Sequence, residues 1–125
     1  MGFIMLKKIV LIDDEEDFLE LMTTMLEFHN FDVTAYSQAD EFVAKLDDDV
    51  YDIVVTDLLM PVMTGFEVLD NLRAKSSCQN VPAIVLTAKR LTGDEQERIN
   101  KNNAQVLEKP FEPQALVSKI QSLLA

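Results

Sequence analysis

The apolar run at residues 9–12 leads directly into five consecutive carboxylates at residues 13–17. The helix dipole favours acidic residues at the start of a helix by about 0.3–1 kcal/mol each, which accounts for the last three. It does not account for Asp57, which ends a separate apolar run, IVVTD. Carboxylates that lie close together repel one another unless they share a proton or hold a cation. Asp13, Asp14 and Asp57 are therefore candidate metal ligands.

Magnesium suits these residue types, because it prefers hard oxygen ligands and keeps several waters that a phosphate can replace. Later apolar runs are also followed by notable residues: Thr87 and Ala88 at the fourth run, and Lys109 and Pro110 after the fifth. Singly, these residues have ordinary explanations, such as a strand threonine, a solvated charge or a helix-start proline.

These residues need structural elements that bring them together, and the chain alternates short apolar runs with helical periods. Apolar residues at helical spacing predict three helices, and Thr64 with Glu67, and Thr92 with Glu95, match capping boxes at helix starts. A weakly signalled helix is expected over residues 38–46, and a polar one over residues 93–102. The predicted strands are residues 6–12, 31–36, 53–56, 83–87 and 104–107. The three apolar stripes are Phe18, Leu21, Met22 and Met25; Gly65, Val68, Leu69 and Leu72; and Leu116, Ile120, Leu123 and Leu124.

Five strand–helix repeats predict an α/β fold with a single five-stranded parallel sheet and helices on both faces. In such open sheets, ligand-binding and reactive residues lie just outside the carboxyl ends of the strands. All of the candidate residues follow strand ends, so we expect them to meet at that edge.

Composition narrows the function classes. The 125 residues are about one domain long, and 48% hydrophobic content excludes a disordered acidic tail. No apolar run approaches the roughly 20 residues that cross a bilayer, so membrane insertion is not expected. A net charge of −11 opposes direct binding to nucleic acid. A single cysteine and the lack of a visible signal peptide favour the cytoplasm.

The ordered motifs together resemble the receiver domains of response regulators, the phosphoacceptors of two-component signalling, including the chemotaxis receivers. The motifs are the acidic pair at residues 13–14, VVTDLLMP around Asp57, the MTG that follows it, Thr-Ala at residues 87–88 and Lys-Pro at residues 109–110. The resemblance implies the flavodoxin-like strand order 2-1-3-4-5. It predicts a receiver domain over residues 7–125, with residues 1–6 as an N-terminal extension or start.

The resemblance implies a phosphorylation site with Mg²⁺ as cofactor. Asp57 would accept the phosphoryl group from the phosphohistidine of a histidine kinase or a histidine phosphotransfer protein. Asp14, Asp57 and the backbone carbonyl of Leu59 would bind the metal directly, and Asp13 would act largely through water. Lys109 would spread the developing negative charge.

Further roles follow from the same resemblance. Thr87 would donate a hydrogen bond to a phosphoryl oxygen, and Ala88 would leave room for that group. Pro110 would follow a cis peptide. Gly65 belongs to the MTG motif, and its ordinary explanation, relief of crowding where its helix packs, is compatible with that motif. The chain would assist its own phosphorylation and dephosphorylation without being an enzyme. It would then switch a surface that binds a downstream protein or a fused effector.

Two features depart from the usual receiver pattern. Val106 occupies the position where many receivers carry an aromatic switch residue, so we expect the relay to use Thr87 and a loop shift. Leu59 and Lys89 occupy the positions that flank the approach of water to the phosphoryl group. Leucine cannot orient water, whereas Lys89 either covers the phosphoryl group or stays solvated. We therefore expect a comparatively persistent phosphoaspartate.

Three alternatives remain at this stage. A receiver-like interaction module that is never phosphorylated would share the fold. A magnesium-dependent phosphohydrolase typically has a second acid two residues after the first, whereas Leu59 occupies that position here. A flavodoxin-like cofactor binder needs a phosphate-cradling loop after the first strand, and the acidic run would repel the phosphate.

Overall fold

The computed structural model describes residues 5–48 and 50–125. Residues 1–4 of the predicted N-terminal extension lie outside the described residues, so the division at residue 6 stays a prediction. The strands are β1 (Lys8–Ile12), β2 (Asp32–Tyr36), β3 (Ile53–Asp57), β4 (Ala83–Thr87) and β5 (Ala104–Glu108). The helices are α1 (Glu16–Phe28), α2 (Ala39–Ala44), α3 (Gly65–Ala74), α4 (Gly93–Lys101) and α5 (Pro113–Leu124), with a short 3₁₀ turn at Ser76–Cys78.

The five strands form one parallel sheet in the order β2-β1-β3-β4-β5. Both the predicted fold class and the strand order are confirmed. Every residue of β3 and β4 is buried, as expected for central strands that are covered on both faces. Asp57 lies opposite Leu86 in the β3–β4 register, so the ends of these strands meet at one edge of the sheet.

Helices pack on both faces of the sheet and divide the core in two. On one face, α1 and α5 cover alternate strand residues such as Leu11 and Val55. On the other face, α2, α3 and α4 cover residues such as Val54 and Val85. The side chains of each strand alternate between the two clusters because successive residues point to opposite faces.

The buried face of α1 differs from the predicted stripe. Leu19, Met22 and Leu26 are buried, whereas Leu21 was expected to pack and is 60% exposed. Phe18 and Met25 are only partly buried. The spacing of residues 18, 21, 22 and 25 is helical, but the sheet contacts a face centred about one position further along the helix.

The helix boundaries otherwise follow the sequence signals closely. α2 is shorter than the predicted span of residues 38–46, because it ends at Ala44 and continues as turns. Both predicted capping boxes form: the hydroxyl of Thr64 accepts from the Glu67 amide, and that of Thr92 accepts from the Glu95 amide. Among residues 5–48 and 50–125, no helix combines the length and apolar character that spanning a membrane requires.

Candidate functional site

Three carboxylates meet at the carboxyl edge of the sheet. Asp13 directly follows β1 and Asp57 ends β3, and these two strands are neighbours. One oxygen each of Asp13, Asp14 and Asp57 lies within 4.8 Å of the others. Asp13 is fully buried, Asp57 is 8% exposed and Asp14 is exposed. The acidic cluster therefore has a buried floor and an open side.

Lys109 supplies the positive charge of the site. Its backbone amide donates to the Thr87 carbonyl at 2.8 Å, which fixes the loop after β5 against the end of β4. Its Nζ lies 3.0 Å from Asp13 Oδ2 and 3.5 Å from Asp57 Oδ1. The same Nζ lies 4.4 Å from the centroid of the Phe18 ring. The sequence had placed Phe18 only in a core stripe, and its cation–π contact has no signal in the spacing.

Backbone amides hold the two buried carboxylates. The Glu15 amide donates to Asp13 Oδ1 at 2.9 Å, and the Leu58 amide donates to Asp57 Oδ1 at 3.0 Å. Donors of this kind fix the direction of a carboxylate, and the Leu58 amide also favours the ionised form of Asp57. Both acceptor groups are thus oriented before any ligand binds.

Burial raises the pKa of Asp57 to about 6, and the negative charge of Asp13 adds to this rise. The Lys109 ammonium and the Leu58 amide oppose it. Burial also disfavours the charged form of Lys109, but its hydrogen bond to Asp13 and the nearby carboxylates raise its pKa overall. The site thus holds a permanent ammonium beside carboxylates whose mutual repulsion is only partly relieved.

This donor set fits a magnesium ion. The ligand atoms are hard carboxylate oxygens, and a dication would offset the repulsion that raises the pKa of Asp57. The open side at Asp14 leaves room for the waters that magnesium retains. Leu59, whose carbonyl the resemblance adds to the ligands, follows β3 by two residues, and its side chain is 55% exposed.

Gly65 lies where the start of α3 packs closely against the end of β3. A Cβ at this position would lie 2.5 Å from the Asp57 carbonyl oxygen and 2.9 Å from the Leu58 Cα. The Gly65 amide donates to the Leu58 carbonyl at 2.7 Å. Any other residue would push the start of α3 away from the end of β3, which carries Asp57. The peptide between Lys109 and Pro110, on the other side of the site, is cis.

The loop after β4 lies on the third side of the site. Thr87 is buried, and its hydroxyl accepts from the Lys89 amide at 2.9 Å. Ala88 is exposed. Lys89 Nζ lies 2.6 Å from Glu95 Oε1, in an ion pair with the first turn of α4. The sequence marked Glu95 as a capping residue but gave no sign of this second partner.

Two further positions complete the surroundings. Val106 is half-buried and packs against the apolar cluster of the α2–α4 face. Val62, in the loop after β3, is 87% exposed and has a positive φ of 71°. A β-branched residue in this conformation is strained. Sequence reasoning did not single out Val62, because no residue pattern signals this backbone conformation.

Comparisons with known proteins give consistent matches to one protein family. Residues 9–121 match the family model of the response regulator receiver domain. The chain is similar to the transcriptional regulatory protein CpxR homolog of Haemophilus influenzae, with 33% identity over 119 residues. That match covers 95% of this chain and 51% of the relative, so the chain spans about half the length of the curated relatives it matches.

Two solved structures resemble the fold closely. Chemotaxis protein CheY4 of Vibrio cholerae superposes with a TM-score of 0.88 at 26% identity, covering 96% of this chain and 100% of that one. The receiver domain of a Pseudomonas aeruginosa sensor histidine kinase gives a TM-score of 0.84 at 26% identity, covering 96% and 98%. In that structure a magnesium ion is coordinated in the active-site cleft. The family match over most of the chain, together with the observed strand order, shows that the chain belongs to the response-regulator receiver family.

Proposed function

We propose that this receiver accepts a phosphoryl group on Asp57 in a magnesium-dependent reaction. One observation carries the proposal. The Asp57 carboxylate ends a buried strand, shares a cluster with the Asp13 and Asp14 oxygens within 4.8 Å, and lies 3.5 Å from the Lys109 ammonium. A carboxylate at this position has both a cation beside it and an open side for a donor.

Asp13, Asp14, Asp57 and the Leu59 carbonyl are the groups that would hold Mg²⁺, with Asp13 acting largely through water. When bound, magnesium supplies positive charge that neutralises the oxygens of the phosphoryl group during transfer. An Asp57 oxygen forms the bond to phosphorus while the bond between phosphorus and the donor's imidazole nitrogen breaks. The Lys109 ammonium, held by Asp13 at 3.0 Å, stabilises the charge that builds up on the phosphoryl oxygens.

We expect activation to move the loop after β4. The Thr87 hydroxyl accepts from the Lys89 amide at 2.9 Å and donates to the Lys89 carbonyl at 3.5 Å. Turning its proton toward a phosphoryl oxygen would break the second contact and reorganise that loop. Ala88 leaves space beside the hydroxyl. Val106 has one side-chain torsion and already packs against the core, so it cannot swing between buried and exposed positions as an aromatic residue can.

We also expect the phosphoryl group to persist. Hydrolysis needs a water in line with the bond from Asp57 to phosphorus, and an apolar Leu59 side chain cannot orient that water. Leu59→Asn should therefore release phosphate faster than the unaltered phosphoprotein at equal magnesium. An equal or slower rate for Leu59→Asn would rule out this role.

Intact-mass measurement tests the assignment of Asp57. Acetyl phosphate with magnesium should add the mass of one phosphoryl group, and chelation of the metal should prevent the addition. Asp57→Asn should show no gain. If the variant gained the same mass, another residue would be the acceptor. If neither protein gained mass with acetyl phosphate or a phosphorylated histidine donor, the chain would act as an interaction module without phosphorylation.

The partners follow from the family. Receiver domains of response regulators interact with histidine kinases and effector domains. For this chain, we propose a histidine kinase or histidine phosphotransfer protein as donor, and a downstream protein or fused effector as the target. The cytoplasmic location expected from the sequence stays a prediction.

A further inference from the structure

Lys89 and Glu95 join the phosphorylation site to α4. Lys89 Nζ lies 2.6 Å from Glu95 Oε1 and donates to the Arg90 carbonyl at 3.2 Å. The same Glu95 oxygen accepts the Thr92 amide at 2.9 Å, which is half of the α4 capping box. The side chains of Lys89 and Glu95 are 34% and 24% exposed, so their ion pair is only partly solvated.

Lys89 also lines a cavity that includes two residues of the site. A cavity of about 260 Å³ is lined by Thr87, Ala88, Lys89, Arg90, Glu108 and Lys109. Two of its lining residues, Thr87 and Lys109, belong to the site, and Lys109 touches Asp57 directly. Lys89 has a flexible four-carbon stem, and its ammonium can turn toward the cavity if Glu95 releases it.

A phosphoryl group on Asp57 would place close to two negative charges beside this cavity. Glu95 offers a single carboxylate, which is shared with the Thr92 amide. The two anions therefore compete for one ammonium. The Thr87 hydroxyl would donate to the same phosphoryl group. This would break its contact with the Lys89 carbonyl, now 3.5 Å away, and loosen the backbone that carries Lys89.

We propose that Glu95 is a positioning residue that holds Lys89 out of the phosphorylation site, and that phosphorylation of Asp57 transfers the Lys89 ammonium from Glu95 to the phosphoryl oxygens. This inference rests on the proposed function of Asp57. It goes beyond that function because it makes the lifetime of the phosphoryl group depend on the first turn of α4. A partner that binds there and engages Glu95 would free Lys89 and prolong the signal.

The test compares phosphate release from purified phosphoproteins, prepared with acetyl phosphate and magnesium. Glu95→Gln keeps an oxygen for the Thr92 amide but loses the ion pair, so Lys89 covers the phosphoryl group more often. We expect release to slow about two- to fivefold, the population change that loss of one partly exposed ion pair supplies. Lys89→Ala should release phosphate faster than the unaltered protein. The double variant should match Lys89→Ala, because Glu95 acts only through Lys89.

Glu67→Gln is the matched control. Glu67 closes the capping box of α3 in the same way, accepting from the Thr64 amide at 3.2 Å, and its Oε1 also accepts from the Thr64 hydroxyl. It should leave the release rate unchanged. Two results would show that Glu95 acts through helix stability and would overturn the proposal. One is phosphate release from the double variant that is slower than from Lys89→Ala, and the other is slowing by Glu67→Gln equal to that by Glu95→Gln.

A spectroscopic measurement distinguishes the transfer of Lys89 from the phosphorylation of Asp57. In the unaltered protein, the side-chain carboxyl carbon resonance of Glu95 should shift on phosphorylation, while that of Glu67 should not. If mass spectrometry detects the phosphoryl group and the Glu95 resonance stays fixed, the transfer of Lys89 is wrong although the proposed function holds. If the unaltered protein gains no phosphoryl group, the proposed function fails first.

Discussion

Helix α1 begins after β1, next to the acidic site, and helix α4 begins after β4, but different forces hold them to the sheet. α1 buries Leu19, Met22 and Leu26. α4 is described throughout its length and buries only Ile99. Its ion pairs run to Lys89, in the loop after β4, through Glu95 and to α3 through Arg98.

The polar contacts of α4 form a connected set. Arg98 pairs with Asp70 of α3 at 2.5 Å and lies 4.9 Å from the Phe66 ring centroid. Asn102 donates to Asp70 at 3.1 Å, and Arg73 donates to the Asn102 carbonyl at 2.7 Å. Apolar burial does not respond to a new charge, whereas ion pairs do. The difference indicates that α1 holds the site in place and that α4 can respond to its charge.

The largest expected effect separates the two helices by truncating their buried residues. Leu26→Ala and Ile99→Ala each leave a cavity at a fully buried position and should cost about 2–5 kcal/mol of unfolding free energy. Leu26→Ala should lower stability uniformly, because Leu19 and Met22 still hold α1. Ile99→Ala should in addition release α4, giving rapid amide exchange over residues 93–101. Denaturant unfolding measures the loss of stability, and hydrogen exchange measures the release of α4. Equal protection of α1 and α4 in Ile99→Ala would mean that Ile99 is not what holds α4 to the sheet.

The second prediction concerns the buried charge of Asp57. Because burial raises the pKa of Asp57 from 3.8 to about 6, the folded protein holds that proton more tightly than the unfolded chain. Stability therefore falls as pH rises from about 4 to about 6, and a loss of about 1–3 kcal/mol remains at pH 7 without magnesium. Asp57→Asn should recover this loss at pH 7 and match the unaltered protein below pH 4.

Thermal unfolding across this pH range, with the metal chelated, measures the effect. Asp17→Asn removes an exposed carboxylate in the first turn of α1 and is the control. It retains Asp57, so it should keep the pH dependence of the unaltered protein. Since Asp57 contacts Lys109 and no residue of α4 in the described contacts, exchange by local opening of α4 should not change. An Asp57→Asn protein that is no more stable at pH 7 would show that Lys109 already balances the buried charge.

The third prediction compares two capping boxes of the same design. Thr64→Ala and Thr92→Ala each remove an N-cap hydroxyl and should cost about 1 kcal/mol. α3 buries five of its residues, so its first turn should stay protected, whereas the first turn of α4 should fray. Amide exchange at residues 65–68 and 93–96 measures this, and Thr92→Ser, which keeps a hydroxyl, is the control. Equal fraying of the two helices would mean that the caps, rather than burial, hold α3.

Sequence patterns predicted most of the fold because strand length, apolar periodicity and capping residues are local signals. The strands of the structure lie within two residues of the predicted spans, and both capping boxes form. The face of α1 that packs against the sheet could not be predicted as well. Phe18, Leu21 and Met22 share a helical spacing with Met25, but which side meets the sheet depends on tertiary packing, so the exposure of Leu21 could not be read from the chain alone.

The site was predictable to the extent that its residues follow strand ends. That rule brings Asp13, Asp57 and Lys109 to one edge, and the structure places them in contact. Contacts formed by long side chains across the fold have no such rule. The Lys109 ammonium over Phe18 and the Lys89 pair with Glu95 depend on rotamers, which neither spacing nor composition specifies.

The smallest expected effect tests whether charge holds α4 to α3. Burial tends to raise the pKa of Asp70, but hydrogen bonds from Arg98 and Asn102 outweigh burial and lower it. The folded state therefore favours ionised Asp70. The stabilising contribution of Asp70 is complete above the pKa that this carboxyl has in the unfolded chain, near 3.8. It is lost as the pH falls through the lower pKa of Asp70 in the folded protein. The Arg98–Asp70 side chains are nearly half exposed, so the contribution should be below about 1 kcal/mol.

Protection factors for α4 amides, measured between pH 5 and pH 3, should decline in the unaltered protein and be lower from the outset in Asp70→Asn, with a smaller decline. Raising salt from about 0.01 to 1 M should act in the same direction, because it screens exposed pairs. α1, which buries three apolar residues, should keep its protection under both treatments. A parallel loss in α1 would mean that acid and salt act on the whole domain. It would also remove the distinction between a helix fixed by apolar burial and a helix held by charge.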